Sequence, residues 1–235
     1  MGPRLAALIA AGAGLGVLGL LAYWALVLSE GVYLGPWVVT WLYDRVAPRY
    51  DRIKNSCPED DSRCLARPLL LALDAVPAPL VLDVATGTGR LPLALEAEAD
   101  FAGRVVGVDR SARMLAEARR KPAGVQQEAL CLARADAGRL PFPDAIFHAV
   151  ACIEALEFTQ RPRETVREMV RVLRPGGVLL VSNRVGCDAL AYPGRLCGRG
   201  RLERALHRLG LEAVESERWQ VYYDLVWARK GSTDT

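Results

Sequence analysis

The segment VLDVATGTGRLPLAL, residues 81–95, joins a run of apolar residues to a turn of small ones. Gly87 and Gly89 let a backbone approach a ligand closely, because glycine has no Cβ and accepts positive φ. The residues that follow predict a helix whose free N–H groups and positive dipole end face this turn. A strand, a Gly-rich turn and a helix in this order are typical of sites for NAD, FAD and other nucleotides.

Three acidic residues narrow the choice of ligand. Asp109 ends the second predicted strand, where a carboxylate can accept hydrogen bonds from both hydroxyls of a ribose. Asp136 follows the third predicted strand, where an acid can hold an adenine amino group. Asp83 lies within the end of the first strand, where it would repel a pyrophosphate and attract a cation. The set favours S-adenosylmethionine, which carries an ammonium and a sulfonium, over a dinucleotide.

The elements that must position these residues alternate along the chain from Pro68 onward. We predict a first helix at PLLLALDAV, then strands at LVLDVA, RVVGVD, EALCLARAD, AIFHAVACIEA and GVLLVSNR. Helices are predicted at RLPLALEAEA, SARMLAEARRK (capped by Ser111), RETVREMVRVL and RLERALHRLG. LEAVESERW and VYYDLVWARK are two closing antiparallel strands. The pattern predicts an α/β fold, a Rossmann-like, doubly wound sheet of seven strands.

The N-terminal segment is apolar enough to cross a membrane. Residues 5–28 carry no charge, and a helix of this length spans roughly 36 Å, more than a bilayer core of about 30 Å. Tyr23 and Trp24 lie where aromatic rings favour the interface. A cleaved signal peptide is the alternative, although LVLSEGVYL is a poor cleavage site. Gly12 and Gly16 form a G-x-x-x-G pair, through which a homodimer is possible.

Charges after this segment predict its orientation. Basic residues are more numerous on its C-terminal side, which places the catalytic domain in the cytoplasm as part of a single-pass membrane protein: Arg45, Arg49, Arg52 and Lys54. GVYLGPWVVTWLYDRVAPRY is too broken by Pro36 and charges to span again, and predicts an interfacial helix. We divide the chain into a transmembrane anchor (1–30), an interfacial and cofactor-lid helical segment (31–67), a cofactor-binding domain (68–230) and a polar, disordered tail (231–235).

Composition excludes several other functions. The net charge of +3 provides no large basic field, so we expect no nucleic-acid partner. None of the six cysteines forms a C-x-x-C pair and there are only two histidines, so we expect no metal site and reduced thiols. Cys131 and Cys152 stand in apolar contexts and are predicted to be small core residues.

Four segments together resemble a known family: VLDVATGTG, GVDRSARML, ADAGRLPFPDAIF and EMVRVLRPGGVLLV. They are similar to class I S-adenosylmethionine-dependent methyltransferases, and most of all to the ubiquinone and menaquinone biosynthesis C-methyltransferases. The resemblance covers roughly residues 43–183 and the closing strands. YDRVAPRYDRIKN also resembles that family's N-terminal signature, in which a Tyr-Asp segment lies over the cofactor.

The resemblance implies S-adenosyl-L-methionine as cofactor and a set of binding residues. In this set Thr88 contacts the methionine part, Asp109 the ribose, and Asp136 with Ala137 the adenine. Tyr50 covers the sulfonium and Ile153 lines the cofactor. The full set is Tyr50, Asp83, Ala85, Thr86, Gly87, Thr88, Gly89, Asp109, Arg110, Met114, Asp136, Ala137 and Ile153.

The chain departs from the family near the expected acceptor position. His148 replaces an Asp and is predicted to be a satisfied edge or core residue, IEALEF replaces a Gly-containing segment, and SNR replaces an acidic strand end. No catalytic base is identified; Tyr50 and Glu154 are candidate catalytic residues, and Glu157 is predicted to cap a turn. The sequence predicts a membrane-anchored methyltransferase acting on a lipophilic acceptor, such as a quinone-like molecule, a phospholipid amine or a thiol. A non-catalytic membrane adaptor and a nucleotide-sugar or NAD enzyme are the alternatives.

Overall fold

A single seven-stranded sheet organises the computed structural model, which describes residues 2–54, 57–121 and 130–232. The strands are β1 (Leu80–Val84), β2 (Arg104–Asp109), β3 (Leu130–Arg134), β4 (Phe147–Cys152), β5 (Leu173–Arg184), β6 (Leu211–Arg218) and β7 (Tyr223–Lys230). They lie in the order β3-β2-β1-β4-β5-β7-β6. The first five pair in parallel, whereas β7 is antiparallel to both β5 and β6. The predicted fold class is confirmed.

Helices cover both faces of this sheet, so its central strands are nearly continuous apolar runs. Val81 and Leu82 are fully buried and enter different hydrophobic clusters, one on each face. The helices are α1 (Pro3–Tyr23), α2 (Pro36–Val46), α3 (Tyr50–Lys54), α4 (Pro58–Asp61), α5 (Arg67–Ala72), α6 (Arg90–Glu96), α7 (Ala112–Arg120), α8 (Pro162–Val172) and α9 (Arg201–Arg208). Ser111 caps α7 as predicted, because its Oγ accepts the Met114 N–H at 3.0 Å.

Three details differ from the sequence-based expectations or lie beyond them. The helix expected over PLLLALDAV ends at Ala72, since Pro77 disfavours a helical conformation before it and the chain must turn into β1. Cys131 is exposed, not a core residue, because β3 is one of the two edge strands of the sheet. Residues 128–129 of the predicted third strand and 233–235 of the tail lie outside the described residues.

The C-terminal end of the N-terminal helix is attached to the α/β domain. The span Ala7–Leu28 is long and apolar enough to cross a membrane, as a signal sequence would also be, and it is not buried in the protein. At its end the Trp24 ring stacks on Tyr33 with centroids 4.9 Å apart, and Trp24 Nε1 donates to the Ala191 carbonyl at 3.2 Å. Tyr33 Oη donates to the Pro193 carbonyl at 2.7 Å. The span is therefore held to the segment that follows β5.

Candidate functional site

A cleft lies beyond the carboxyl ends of the parallel strands. It measures about 1180 Å³ out to its open mouth and is lined by the residues that directly follow β1, β2, β3 and β4. The chain order reverses between β1 and β4, and an open α/β sheet offers its ligand crevice at such a switch point. Twelve of the thirteen predicted cofactor residues line this cleft.

The Gly-rich turn after β1 forms an open cradle. Gly87 has φ +55°, and a Cβ added there would meet no atom within 4 Å, so the space over it is free for a ligand. Ala85 also has positive φ (+58°), a strain of order 1–3 kcal/mol that the sequence did not reveal. Gly89 is the exception among the predicted residues: it does not line the cleft but caps α6, where a Cβ would lie 3.4 Å from that of Ala118.

Asp83 is a buried carboxyl facing this cradle. It is 3% exposed and lines the cleft. Burial raises its pKa to about 7; the Thr86 hydroxyl, which donates at 2.6 Å, lowers that pKa, and the charge of Asp109 raises it. Ionising Asp83 is therefore costly unless a cation lies beside it. A cationic group of a ligand would therefore suit this position, as predicted from the sequence.

Asp109 has both carboxylate oxygens placed by backbone donors. The Gly87 N–H donates to Oδ2 at 2.9 Å and the Ser111 N–H to Oδ1 at 2.7 Å. Burial raises the pKa of Asp109, while these N–H bonds lower it. Each oxygen retains a further lone pair, so the carboxylate can also accept ribose hydroxyls.

The side of the cleft that is predicted to hold the adenine is more exposed, since the side chains of Arg110 and Asp136 are 43% and 45% exposed. Asp136 Oδ1 accepts the Gly138 N–H at 3.0 Å, which fixes the turn after β3. Arg110 approaches its other oxygen at 3.5 Å. Ala137 and Met114 complete the apolar lining here, and Met114 is 1% exposed. These positions agree with a flat, partly apolar ring held at one polar edge.

Residues 36–54, which we call the lid segment, close the cleft over the Gly-rich turn. Asp51 Oδ1 accepts the Thr88 hydroxyl at 2.6 Å, and Asp51 Oδ2 pairs with Lys121 at 2.7 Å. Asp44 accepts the Ser111 hydroxyl. The Thr88 hydroxyl, predicted to contact the methionine part of the cofactor, is thus hydrogen-bonded to the lid segment in this structure.

Tyr50 presents an aromatic wall inside the cleft. Its ring lies 5.9 Å from that of Tyr43, and the ammonium of Lys54 lies 5.9 Å from its centroid. Burial raises the pKa of Tyr50 far above its usual value, so the phenol stays neutral. A neutral aromatic face attracts cations, which suits the predicted cover of a sulfonium.

Glu154, the other candidate catalytic residue, is held by several partners. Lys54 Nζ and Arg90 Nη1 each lie 2.6 Å from its oxygens, and Gln220 Nε2 donates at 2.9 Å. Although burial opposes ionisation, Lys54 and Arg90 hold the pKa of Glu154 below its usual value. A charged, doubly paired carboxylate is a weak base, and this geometry favours a positioning role between α3 and the end of β4.

Two other residues weighed from the sequence have structural partners. His148 Nδ1 accepts the Leu80 N–H at 2.9 Å and its Nε2 lies 2.8 Å from Arg174, as expected for a satisfied residue of the sheet. Glu157 is not a turn cap: it is 2% exposed and pairs with Arg184 at 2.8 Å. The Tyr223 hydroxyl donates to the same carboxylate.

The sequence-based prediction omitted several cleft residues, among them Tyr43, Lys54 and Arg90. A signal for Tyr43 was present. The triplet YDR occurs at 43–45 and again at 50–52, seven residues apart, which is two turns of a helix. Such spacing predicts that Tyr43 and Tyr50 share a face, as their ring contact shows.

The strand order, the Gly-rich turn after β1 and the carboxylate ending β2 define the class of protein. They are the features of a Rossmann-like α/β fold with a ligand crevice at its switch point, a fold that methyltransferases using S-adenosylmethionine also adopt.

Comparison with known proteins agrees. Residues 82–181 match a family model described as a methyltransferase domain. A demethylmenaquinone methyltransferase from Thermus thermophilus is 40% identical over 141 residues, which cover 60% of this chain and 63% of that protein. The chain thus spans less than two thirds of that relative's length.

Solved structures show the same fold at lower identity. A SAM-dependent methyltransferase from Aquifex aeolicus has a TM-score of 0.55 and 19% identity, with 74% of this chain and 98% of that chain covered. The [4+2]-cyclase SpnF has a TM-score of 0.63 and 22% identity, with 83% and 95% covered. Because a cyclase shares the fold, the reaction has to be argued from the site.

Proposed function

We propose that this protein transfers a methyl group from S-adenosylmethionine to a lipophilic, quinol-like acceptor at a membrane surface. The observation that carries the proposal is the cleft itself, where the cofactor residues adjoin an apolar region beneath the lid segment. This region is lined by Pro36, Val39, Ala155 and Phe158. The names of the curated relatives, demethylmenaquinone methyltransferases, support a quinone-type acceptor over a phospholipid amine or a thiol.

The chain's own residues would bind and orient the reactants. Asp83 would hold the ammonium of the cofactor and Asp109 its ribose, while Tyr50 lies against the sulfonium. When bound, S-adenosylmethionine supplies an electrophilic methyl group. The lid segment, which lies over the Gly-rich turn, would limit the access of water to the reacting groups and so favour attack by the acceptor over side reactions. A quinol, unlike a quinone, has the electron-rich ring that such a transfer needs.

The membrane part of the proposal rests on the anchor and on α2. One side of α2 lines the cleft through Pro36, Val39 and Thr40, whereas Trp37 and Trp41 are 71% and 47% exposed. Exposed tryptophans on a helix that adjoins an apolar span suit the interface of a bilayer. The exposed basic residues that follow suit an anionic cytoplasmic leaflet: Arg45, Arg49 and Arg52. The acceptor would then enter the cleft beside α2.

The open face of the anchor leaves room for a partner helix. A Cβ at Gly12 or Gly16 would meet no atom within 4 Å. We retain dimerisation through this face as part of the proposal. The test is chemical cross-linking in vesicles, which compares the dimer yield of the wild type with that of the double variant Gly12→Leu, Gly16→Leu. An equal yield for the two proteins would contradict dimerisation through this face.

Deletion of the anchor tests how the acceptor is delivered. The deletion covers residues 2–23 and keeps Trp24, because this residue bonds to the Ala191 carbonyl, and it keeps Ser29, which is buried. Affinity for S-adenosylhomocysteine is expected to stay within about twofold, since the cofactor residues begin at Tyr50. Methylation of reduced demethylmenaquinone in vesicles is expected to fall about 100-fold through loss of effective concentration. Methylation of a short-chain, water-soluble analogue is expected to change little.

A matched control replaces residues 3–23 with an unrelated apolar helix of equal length, which is expected to restore activity in vesicles. Equal rates for the deleted and full-length proteins on the vesicle acceptor would refute delivery by the anchor. Absence of labelled methyl transfer by the full-length protein to either acceptor would refute the quinol-methyltransferase proposal and favour a binding protein.

A further inference from the structure

Glu30 lies just after the anchor and reaches the wall of the cleft. The Tyr43 hydroxyl donates to Glu30 Oε2 at 2.9 Å, and Tyr43 lines the cleft. Among the described residues, no other donor bonds to the Tyr43 oxygen, so its lone pairs are available to a ligand. The pair thus connects the cleft to a carboxylate outside the cofactor site.

The backbone at Glu30 is in a conformation that glutamate rarely adopts. Glu30 has φ +49° and the following Gly31 has φ +74°. A residue with a Cβ is strained in this left-handed conformation, whereas a glycine would not be. The turn alone therefore does not account for a glutamate, whereas its bond to Tyr43 does.

The surroundings of the Glu30 carboxylate favour its protonation. Burial raises the pKa of Glu30, and the charge of Glu157 adds to this effect. The bond from Tyr43 and the charges of Lys54 and Arg184 lower it, without outweighing burial. These four residues belong to the lid segment, the turn after β4, and β5. Tyr50 and Tyr192 also face Glu30, whose charge raises the pKa of each. Burial also raises the pKa of Tyr43 far above its usual value, so Tyr43 would not persist as a phenolate.

We propose that Tyr43 and Glu30 form a proton relay that deprotonates a hydroxyl on the aromatic ring of the acceptor. The proposal rests on the proposed function, and it defines the substrate class as a hydroxyarene. As the acceptor O–H bond breaks, its proton forms a new O–H bond on the Tyr43 oxygen. The proton originally on Tyr43 passes to Glu30 Oε2. The electron pair of the broken bond stays on the acceptor oxygen, and Glu30 later releases its proton to water.

The relay assigns different roles to its two members. Tyr43 is the catalytic residue, because it touches the acceptor, and Glu30 is a positioning residue that acts through it. Two acidic groups that line the cleft are less suited to the task. Glu154 is paired with two cations, and Asp83 faces the position expected for the cofactor ammonium.

The test compares Glu30→Gln and Tyr43→Phe with Tyr33→Phe in the full-length protein. Tyr33 is a matched control because its hydroxyl also fastens this segment to the domain, at the Pro193 carbonyl, without lining the cleft. The assay is the pH profile of kcat with reduced demethylmenaquinone in vesicles. Independent measurements are the melting temperature and the affinity for S-adenosylhomocysteine by calorimetry. An infrared difference spectrum between the wild type and E30Q reports titration of the Glu30 carboxyl.

We expect E30Q and Y43F to lower kcat about 100-fold or more, the size of general-base effects, with cofactor-product affinity within about twofold. In the wild type kcat should fall as pH falls through the Glu30 pKa, and E30Q should lose this acid limb. Y33F should behave as the wild type. The infrared midpoint should lie above that of an ordinary glutamate.

Two results would overturn the relay. One is a kcat for E30Q or Y43F within about threefold of the wild type across the pH range. The other is an equal loss in all three variants together with lost affinity or melting temperature, which would assign the bond a fastening role. Failure of the wild type itself to methylate the acceptor would instead refute the proposed function.

Discussion

Asp83 is expected to make cofactor affinity depend on pH near neutrality. Its carboxyl is buried, with a pKa raised to about 7 by desolvation. A cationic ligand binds the ionised form, so binding has to displace a proton wherever the free protein is protonated. S-adenosylhomocysteine is a suitable probe, because it carries the ammonium and does not react.

The size of the effect follows from that pKa. About 90% of Asp83 is ionised at pH 8 and about 10% at pH 6, so affinity should fall about tenfold, or about 1.4 kcal/mol. Thr86→Val removes the hydroxyl that donates to the carboxylate at 2.6 Å. Loss of a bond to a charged group costs about 1.5–3 kcal/mol, which should raise the pKa by at least about one further pH unit. The affinity midpoint then moves to higher pH.

The raised pKa of Asp83 also determines whether the stability of the folded protein rises or falls with pH. The folded state binds the Asp83 proton more tightly than the unfolded chain, in which an aspartate carboxyl keeps its ordinary pKa of 3.8. The ligand-free protein should therefore lose stability as pH rises from about 4 through about 7. Bound ligand should raise the melting temperature more at pH 8 than at pH 6.

Calorimetric titrations with S-adenosylhomocysteine between pH 6 and pH 8 measure this directly. Asp83→Asn should bind weakly with no tenfold slope, while Asp136→Asn is a matched control that should keep the slope. Adenosine, which lacks the ammonium, should show little pH dependence in the wild type. Two results would refute the assignment of Asp83 to the ammonium. One is an affinity for S-adenosylhomocysteine that changes by less than about twofold across this pH range, and the other is a pH dependence of the affinity that persists in D83N.

Two further substitutions test the ribose and cradle assignments. Asp109→Ala should weaken S-adenosylhomocysteine binding about 10- to 150-fold, because it removes charge-assisted hydrogen bonds that contribute roughly 1.5–3 kcal/mol. An unchanged affinity in calorimetry would show that Asp109 does not bind the ribose. Gly87→Val should abolish binding, because φ is +55° there and the branched side chain would occupy the open space of the cradle. Normal binding by G87V, with G87A as a graded control, would show that the turn has no role in holding the ligand.

Much of the fold was predictable from the sequence because the signals were local. Short apolar runs such as LVLDVA predicted the strands. The segments between these runs have helical periodicity, so the sequence also predicted that strands and helices alternate along the chain. The Ser111 cap depends on contacts within one turn of helix, and it was predicted correctly. The Gly-rich turn and Asp109 follow strand ends, so parallel pairing alone brings them to one edge of the sheet.

The remaining features depend on which distant segments meet. Burial of Cys131 was predicted wrongly because only the strand order shows that β3 is an edge strand. Gly89 belongs to helix packing because α7 lies beside it, at Ala118, a contact that the spacing of the glycines does not reveal.

By itself, the sequence determined the class of fold and most of the residues that line the cleft, and it predicted the cofactor, since these follow from periodicity and turn chemistry over a few residues. The tertiary structure decided the partners of those residues. The pairs Lys54–Glu154, Asp51–Thr88 and Glu30–Tyr43 join elements that no local pattern relates. Their energies depend on burial and on distances of a few ångströms, which exist only once the lid segment is packed over the sheet.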